Sequence, residues 1–154
     1  MTRALSRYAT AAAIAAAATA ASHCHRGASA GSAPFTPVAS VDQVMDAIVI
    51  PSSQAIFDAV VYENGALVAA PKTDDDWYRL QMHAFAVAEA GNLLLIPPRA
   101  KDAGDWATFS KALTESAAEV TKAAEAKDLE RMLSAGSDVY RACVNCHAKY
   151  ISEE

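Results

Sequence analysis

Apolar positions recur at helical spacing through most of the chain after residue 40. The first series starts behind Ser40, a candidate N-cap, and Pro51 interrupts it. Because proline lacks an N–H and clashes with the carbonyl four residues earlier, we expect a kink or a break there. Helix is predicted to resume over 54–62, with a connection over 63–71. The apolar face of the first series consists of Val41, Val44, Met45, Ile48 and Val49.

Three longer series follow, and they predict three longer helices. Thr73 is predicted to cap the first of them and Asp105 the second, while the third begins after a turn at 127–128. β-branched alternation is nearly absent, so the pattern predicts an all-α fold, an antiparallel four-helix bundle with short connections. The inward positions are Trp77, Leu80, Ala84, Val87 and Gly91, then Trp106, Phe109, Leu113, Ala117 and Val120, and finally Leu129, Met132, Leu133, Gly136, Tyr140, Cys143, His147 and Tyr150.

The first 30 residues differ in composition from the rest. Arg3 and Arg7 precede a small apolar run over 9–21, and small-residue cleavage sites occur at 18–20 and 28–30. This order is typical of a secretory signal peptide, and the run is shorter than the roughly 20 residues that a membrane span needs. We therefore predict a signal peptide and linker over 1–30, one domain over 31–154, a periplasmic location, and no membrane span in the mature chain.

The formal net charge of −5 gives no support for a nucleic-acid partner. Residues 1–30 contain three arginines and no acid, so their removal would change the charge to −8. Such an acidic domain favours a redox partner with a basic docking patch, although a charged shell that simply solvates the domain is an equal alternative. A homodimer is left open.

The last helical series carries a motif with chemistry of its own, Cys143-Val144-Asn145-Cys146-His147. It is the pattern for covalent attachment of a c-type haem. Two thiols three residues apart on a helix project on nearly the same side, so they can form thioethers with both vinyl groups of one haem. The adjoining His147 then binds the iron as the proximal ligand. We predict one covalently bound haem c.

Other chemistries also use closely spaced cysteines. A structural zinc site needs about four ligands, and the mature chain has no second Cys/His pair. A thioredoxin-type pair stands at the start of a helix after a strand, whereas Cys143 and Cys146 stand inside a helical pattern. An oxidising compartment would also permit a disulfide. His147, directly after the pair, favours haem over all three.

The segment from Lys127 to Tyr150, with the haem motif and Tyr150 on one helix, resembles the class II cytochromes c. That family includes cytochrome c′ and its low-spin relatives, and the resemblance covers about residues 40–151. It implies a four-helix bundle with the haem between the helices and His147 as the proximal ligand.

The resemblance also implies a distal position on the first helix, where Met45 stands. In the low-spin branch this methionine binds the iron, and in the cytochrome c′ branch the distal side is open or blocked by an apolar side chain. Val41 and Ile151 stand where cytochrome c′ proteins usually carry basic residues, which favours the low-spin His/Met branch. The alternatives are that Met45 only fills core volume, or that Met82 or His83 on the second helix is the ligand.

Electron transfer is the function that this set of residues favours. The sequence offers no acid–base or nucleophile cluster beside the haem motif, so we do not expect an enzyme. A methionine ligand raises the haem potential and suits outer-sphere electron transfer. The alternative is a five-coordinate haem protein that binds NO or CO, in which Met45 is only packing.

Overall fold

The computed structural model describes residues 35–151 and is mostly helical, which confirms the all-α class. The signal peptide predicted over 1–30 lies outside the described residues. Among the described helices, none is long and apolar enough to cross a membrane. In chain order the elements are α1 (Val41–Val44), a π-helical turn (Met45–Val49), α2 (Ile50–Phe57), β1 (Val61–Glu63), β2 (Ala66–Ala69), α3 (Asp74–Leu94), α4 (Asp105–Ala126) and α5 (Leu129–Tyr150).

The first helical segment continues through Pro51 instead of breaking there. Ser40 caps its start as predicted, in a capping box with Gln43. Just before the proline the helix widens into the π-helical turn, in which the Ile50 N–H bonds to the carbonyl of Met45, five residues back. A widened turn relieves the clash between a proline ring and the preceding turn and tolerates the missing N–H. The interruption expected at Pro51 therefore takes the form of a local change in helix type.

A β-hairpin replaces the end of the helix predicted over 54–62 and the connection predicted over 63–71. Strands β1 and β2 pair antiparallel around Asn64 and Gly65, which have φ of 49° and 81°. Two consecutive residues with positive φ are what a two-residue hairpin turn of this hand requires, and Asn-Gly is its preferred sequence. The prediction was wrong because the Asn-Gly signal between β-branched residues outweighs a short helical pattern.

The long helices α3 and α4 form the largest packing interface among the described elements. Thr73 caps α3 as predicted and shares a capping box with Asp76. All five predicted inward positions of α3 are buried, and so are those of α4 except the half-buried Phe109. The contact is closest at Gly91, where a Cβ would lie 2.2 Å from the Thr114 Oγ1 and 2.8 Å from the Ser110 carbonyl oxygen. No side chain fits at this crossing.

The cap predicted at Asp105 is wrong by one residue. Helix α4 begins at Asp105 with Gly104 as its N-cap, and the carboxylate that accepts from the backbone N–H groups of Gly104 and Trp106 is that of Asp102. The turn predicted at 127–128 is confirmed, and its second residue, Asp128, is the N-cap of α5.

The inward stripe predicted for α5 is only partly buried. Met132 and Gly136 are buried, whereas Leu133, Tyr140 and His147 are exposed. These three side chains lie beside cavities and grooves, so helical spacing alone did not distinguish a core face from the wall of a cavity.

The α3–α4 crossing generates a stability prediction. Gly91→Ala should lower the free energy of unfolding by about 1–3 kcal/mol, because the added methyl group has to displace backbone or Thr114. Gly136→Ala is the matched control, since it also lies buried within a helix but its nearest new contact is Ile56 Cγ2 at 3.7 Å. This control should be neutral or stabilising by up to about 1 kcal/mol. Urea unfolding measures both, and equal effects at the two glycines would contradict the crossing described above.

Candidate functional site

The Cys-x-x-Cys-His motif lies in the last two turns of α5. Cys143 and Cys146 are half-buried, and Val144 and Asn145 between them are exposed. Burial raises the pKa of the Cys143 thiol, and burial together with the neighbouring Cys143 raises the pKa of Cys146. Both sulfurs are therefore held as neutral thiols at neutral pH, unlike the activated thiolate of a disulfide oxidoreductase.

Two cavities meet at this motif. The first, of about 260 Å³, is lined by Val49, Phe57, Leu94, Phe109 and Leu113, and we call it the apolar cavity. The second, of about 520 Å³, is lined by Ser40, Asp42, Arg99, Lys101 and Tyr150, and we call it the Arg99 cavity. Three side chains line both of them: Met45, Cys146 and His147.

The π-helical turn sets the position of Met45, which is its first residue. The side chain is half-buried and packs against the core at the junction of the two cavities. Such turns are rare and occur frequently at functional sites. The structure thus brings the methionine and the imidazole, about 100 residues apart in sequence, to the walls of the same cavities.

The rival ligands considered from the sequence lie elsewhere. His83 lines a groove beside the hairpin, together with Val68 and Arg79, and Met82 is exposed on the outer side of α3. Neither residue lines either of the two cavities. Of the three candidate distal ligands, Met45 is therefore the one that lines the cavities beside the motif.

A pair of contacts fixes the end of α5 to the start of α4. The Tyr150 hydroxyl donates to the Asp102 carboxylate, and the Lys149 ammonium donates to Asp105. Trp106 packs edge-on against Tyr150, with ring centroids 5.0 Å apart, while its indole N–H donates to the Leu94 carbonyl oxygen at 2.8 Å. Since His147 lies one turn before Tyr150, these contacts hold the imidazole against the cavities. Only tertiary structure reveals this role for Asp102.

The same contacts shift two pKa values in opposite directions. Burial and the hydrogen bond to Asp102 raise the pKa of Tyr150 to about 12. The Tyr150 hydroxyl, followed by the N–H groups of Trp106 and Gly104, holds the pKa of Asp102 below its ordinary value despite an opposing effect of burial. The pair is therefore a neutral phenol beside a carboxylate at every pH near neutrality.

This donor set fits a covalently bound haem. Two neutral thiols one helical turn apart border a cavity with apolar walls, and an exposed imidazole follows directly on the same helix. A thioether reaches the same cavities from the first helical segment. Within residues 35–151 there is no cluster of three or more His, Cys, Asp or Glu side chains able to hold a metal ion by themselves.

Comparison with known proteins adds no assignment. The chain matches no protein-family model, and neither a curated protein nor a solved structure is detectably similar to it.

The Tyr150–Asp102 contact generates a prediction about pH. A tyrosine whose pKa is about 12 when folded and about 10 when unfolded contributes stability that is complete below pH 10 and is lost as the pH rises towards 12. The difference in unfolding free energy between the parent and Tyr150→Phe should therefore be larger at pH 8 than at pH 11. Denaturant titrations at both pH values test this, with the exposed Tyr78→Phe as control. A difference for Tyr150→Phe that is independent of pH would contradict the assignment.

Proposed function

We propose that this chain is an exported monohaem c-type cytochrome that transfers single electrons. Cys143 and Cys146 bind the haem through thioethers, His147 is the proximal iron ligand and Met45 is the distal ligand. The observation that carries the proposal is that three side chains line both cavities: Met45, Cys146 and His147. When bound, the haem iron supplies the one-electron chemistry by alternating between the ferric and ferrous states.

The residues of the chain contribute binding, orientation and exclusion of water. The two cysteines, one helical turn apart, would hold the haem through covalent bonds. Retention of the haem would then not depend on noncovalent binding affinity. Phe57, Phe109 and Leu113 give the apolar cavity walls of low polarity. An apolar environment suits electron transfer, and His147 and Met45 together would leave no position on the iron open to a substrate.

The arrangement of the helices supports the proposed relation to the class II cytochromes c. Helix α3 packs along α4, α4 along α5, and the first helical segment packs against α3 and α5. A two-residue turn joins α4 to α5, as in antiparallel bundles. The proposed fold is therefore a four-helix bundle in which the haem lies between α5 and the first helical segment, with a hairpin added after α2.

The proposed redox partner and the proposed periplasmic location rest on the net charge of the chain and on its N-terminal sequence. The composition of residues 1–30 supports export to the periplasm, and the remaining acidic chain supports docking on a basic patch of a redox partner. Exposed carboxylates at Asp42 and Asp46 lie on the first helical segment, near the proposed distal side.

Covalent attachment is tested by producing the full chain together with haem-ligation machinery. The exported protein should be coloured, and its haem should stay with the polypeptide after denaturation in acid and organic solvent. Cys143→Ala/Cys146→Ala should lose all covalently held haem, because both thioethers are gone. Val144→Ala, at an exposed position between the two cysteines, is the matched control and should retain it. A colourless parent protein, in which the sulfurs of Cys143 and Cys146 are free or joined in a disulfide, would contradict the proposal.

Ligation by Met45 is tested by absorption spectroscopy and redox titration. Met45→Ala should convert a six-coordinate low-spin spectrum into a high-spin one and lower the midpoint potential, because a thioether ligand favours ferrous iron. Met82→Ala, which removes an exposed methionine from α3, should change neither property. If the spectra of Met45→Ala match those of the parent in both oxidation states, Met45 is not a ligand. A parent that is already high-spin and takes up CO readily would then favour the gas-binding alternative.

A further inference from the structure

Arg99 differs from every other arginine in the described part of the chain. Arg79, Arg131 and Arg141 are exposed, and each has a carboxylate oxygen within 4 Å. Arg99 is only 6% exposed, and no carboxylate among residues 35–151 forms an ion pair with it. A buried charge without a counterion is unfavourable, so this site is electrostatically incomplete.

The guanidinium is held in a fixed orientation by the backbone. Its Nε–H donates to the Leu93 carbonyl oxygen at 2.7 Å, and Nη1 donates to the Ala39 carbonyl oxygen at 3.0 Å. An arginine has five N–H donors, so three remain without a partner in the described chain. Nη2, which has no partner among the described residues, retains some access to solvent, since every fully buried side-chain nitrogen or oxygen there has one. Arg99 itself is one of the residues that line the Arg99 cavity.

The two cavities have different chemistry on either side of the motif. The apolar cavity carries aromatic and aliphatic walls and no arginine or lysine, whereas the Arg99 cavity carries Arg99 and Lys101. Asp42 also lines the Arg99 cavity, but it is exposed and forms no ion pair with Arg99. A flat ligand that is apolar along one edge and carries carboxylates along another would be oriented by this difference. Planar guanidinium groups match carboxylates in a bidentate geometry.

We propose that Arg99 binds the propionate carboxylates of the haem and so fixes which edge of the group enters the Arg99 cavity. The inference rests on the proposed function. The propionates supply the counterion that the buried guanidinium lacks, and Arg99 neutralises charge that would otherwise favour ferric iron. Because the same guanidinium also bonds to Ala39 and Leu93, the bound carboxylate becomes connected to the start of α1 and the end of α3.

The test uses the haem-loaded full chain and the variants Arg99→Gln, Arg99→Lys and Arg141→Gln. Arg99→Gln should lower the midpoint potential and shift the propionate bending band in the resonance Raman spectrum. Arg99→Lys, which keeps the charge, should recover most of the parent's potential. Arg141→Gln removes the same charge from an exposed, ion-paired site on α5 that lines neither cavity, and should change neither readout.

A second measurement keeps the proposal testable if Arg99→Gln fails to fold. Nuclear Overhauser contacts between the Arg99 side chain and the propionate methylene protons should be present in the ferrous parent, and their absence would overturn the proposal. A folded Arg99→Gln that loses stability but keeps the parent's potential and Raman band would equally overturn it, since Arg99 would then be structural only. Either failure in a coloured protein with covalent haem leaves the proposed function intact, whereas a colourless parent defeats the proposed function itself.

Discussion

The contact between the last turn of α5 and the loop before α4 is the constraint on which the candidate site depends. Asp102 accepts from the Tyr150 hydroxyl and from two backbone N–H groups at the start of α4, so one carboxylate fixes a helix beginning and a helix end together. Trp106 closes the arrangement by packing on Tyr150 and bonding to the last turn of α3. His147 lies one turn before Tyr150, so the same contacts also fix the part of α5 that carries His147. Without the contact, the motif would stand on a terminal turn that is free to fray.

The opposite wall of the site comes from a less regular element. Pro51, well inside the first helical segment, is accommodated by a π-helical turn, and the first residue of that turn is Met45. The same short stretch of sequence before Pro51 therefore accounts for both the irregular backbone and the position of the candidate ligand Met45. The wall also divides the space around the motif into an apolar part and a part that contains Arg99, which is buried and forms no ion pair within residues 35–151. In the proposed cytochrome this division would orient an amphipathic cofactor that is already tethered by its thioethers.

Helical periodicity predicted α3 and α4 well because their inward residues are buried by a long, regular interface. The caps at Ser40 and Thr73 were predictable because capping chemistry is local and visible in the sequence. The prediction failed where a short-range signal had to compete with periodicity. Asn64-Gly65 imposes a hairpin through two positive φ angles, and this signal was available but was not used. Asp105 was mistaken for the cap because two acids lie within one turn, and only the hydrogen bonds distinguish them.

The sequence by itself determined the helical class, the candidate attachment motif and the chemistry of its donors, because thiol spacing on a helix and the residue after it are local properties. Tertiary structure decided which distant residues share the cavities with that motif. It placed Met45 there and His83 elsewhere, and it buried Arg99 with no counterion in the part of the chain that the structure describes. Whether a residue is buried or ion-paired depends on contacts from several elements. The pattern of residues within one element therefore cannot predict it.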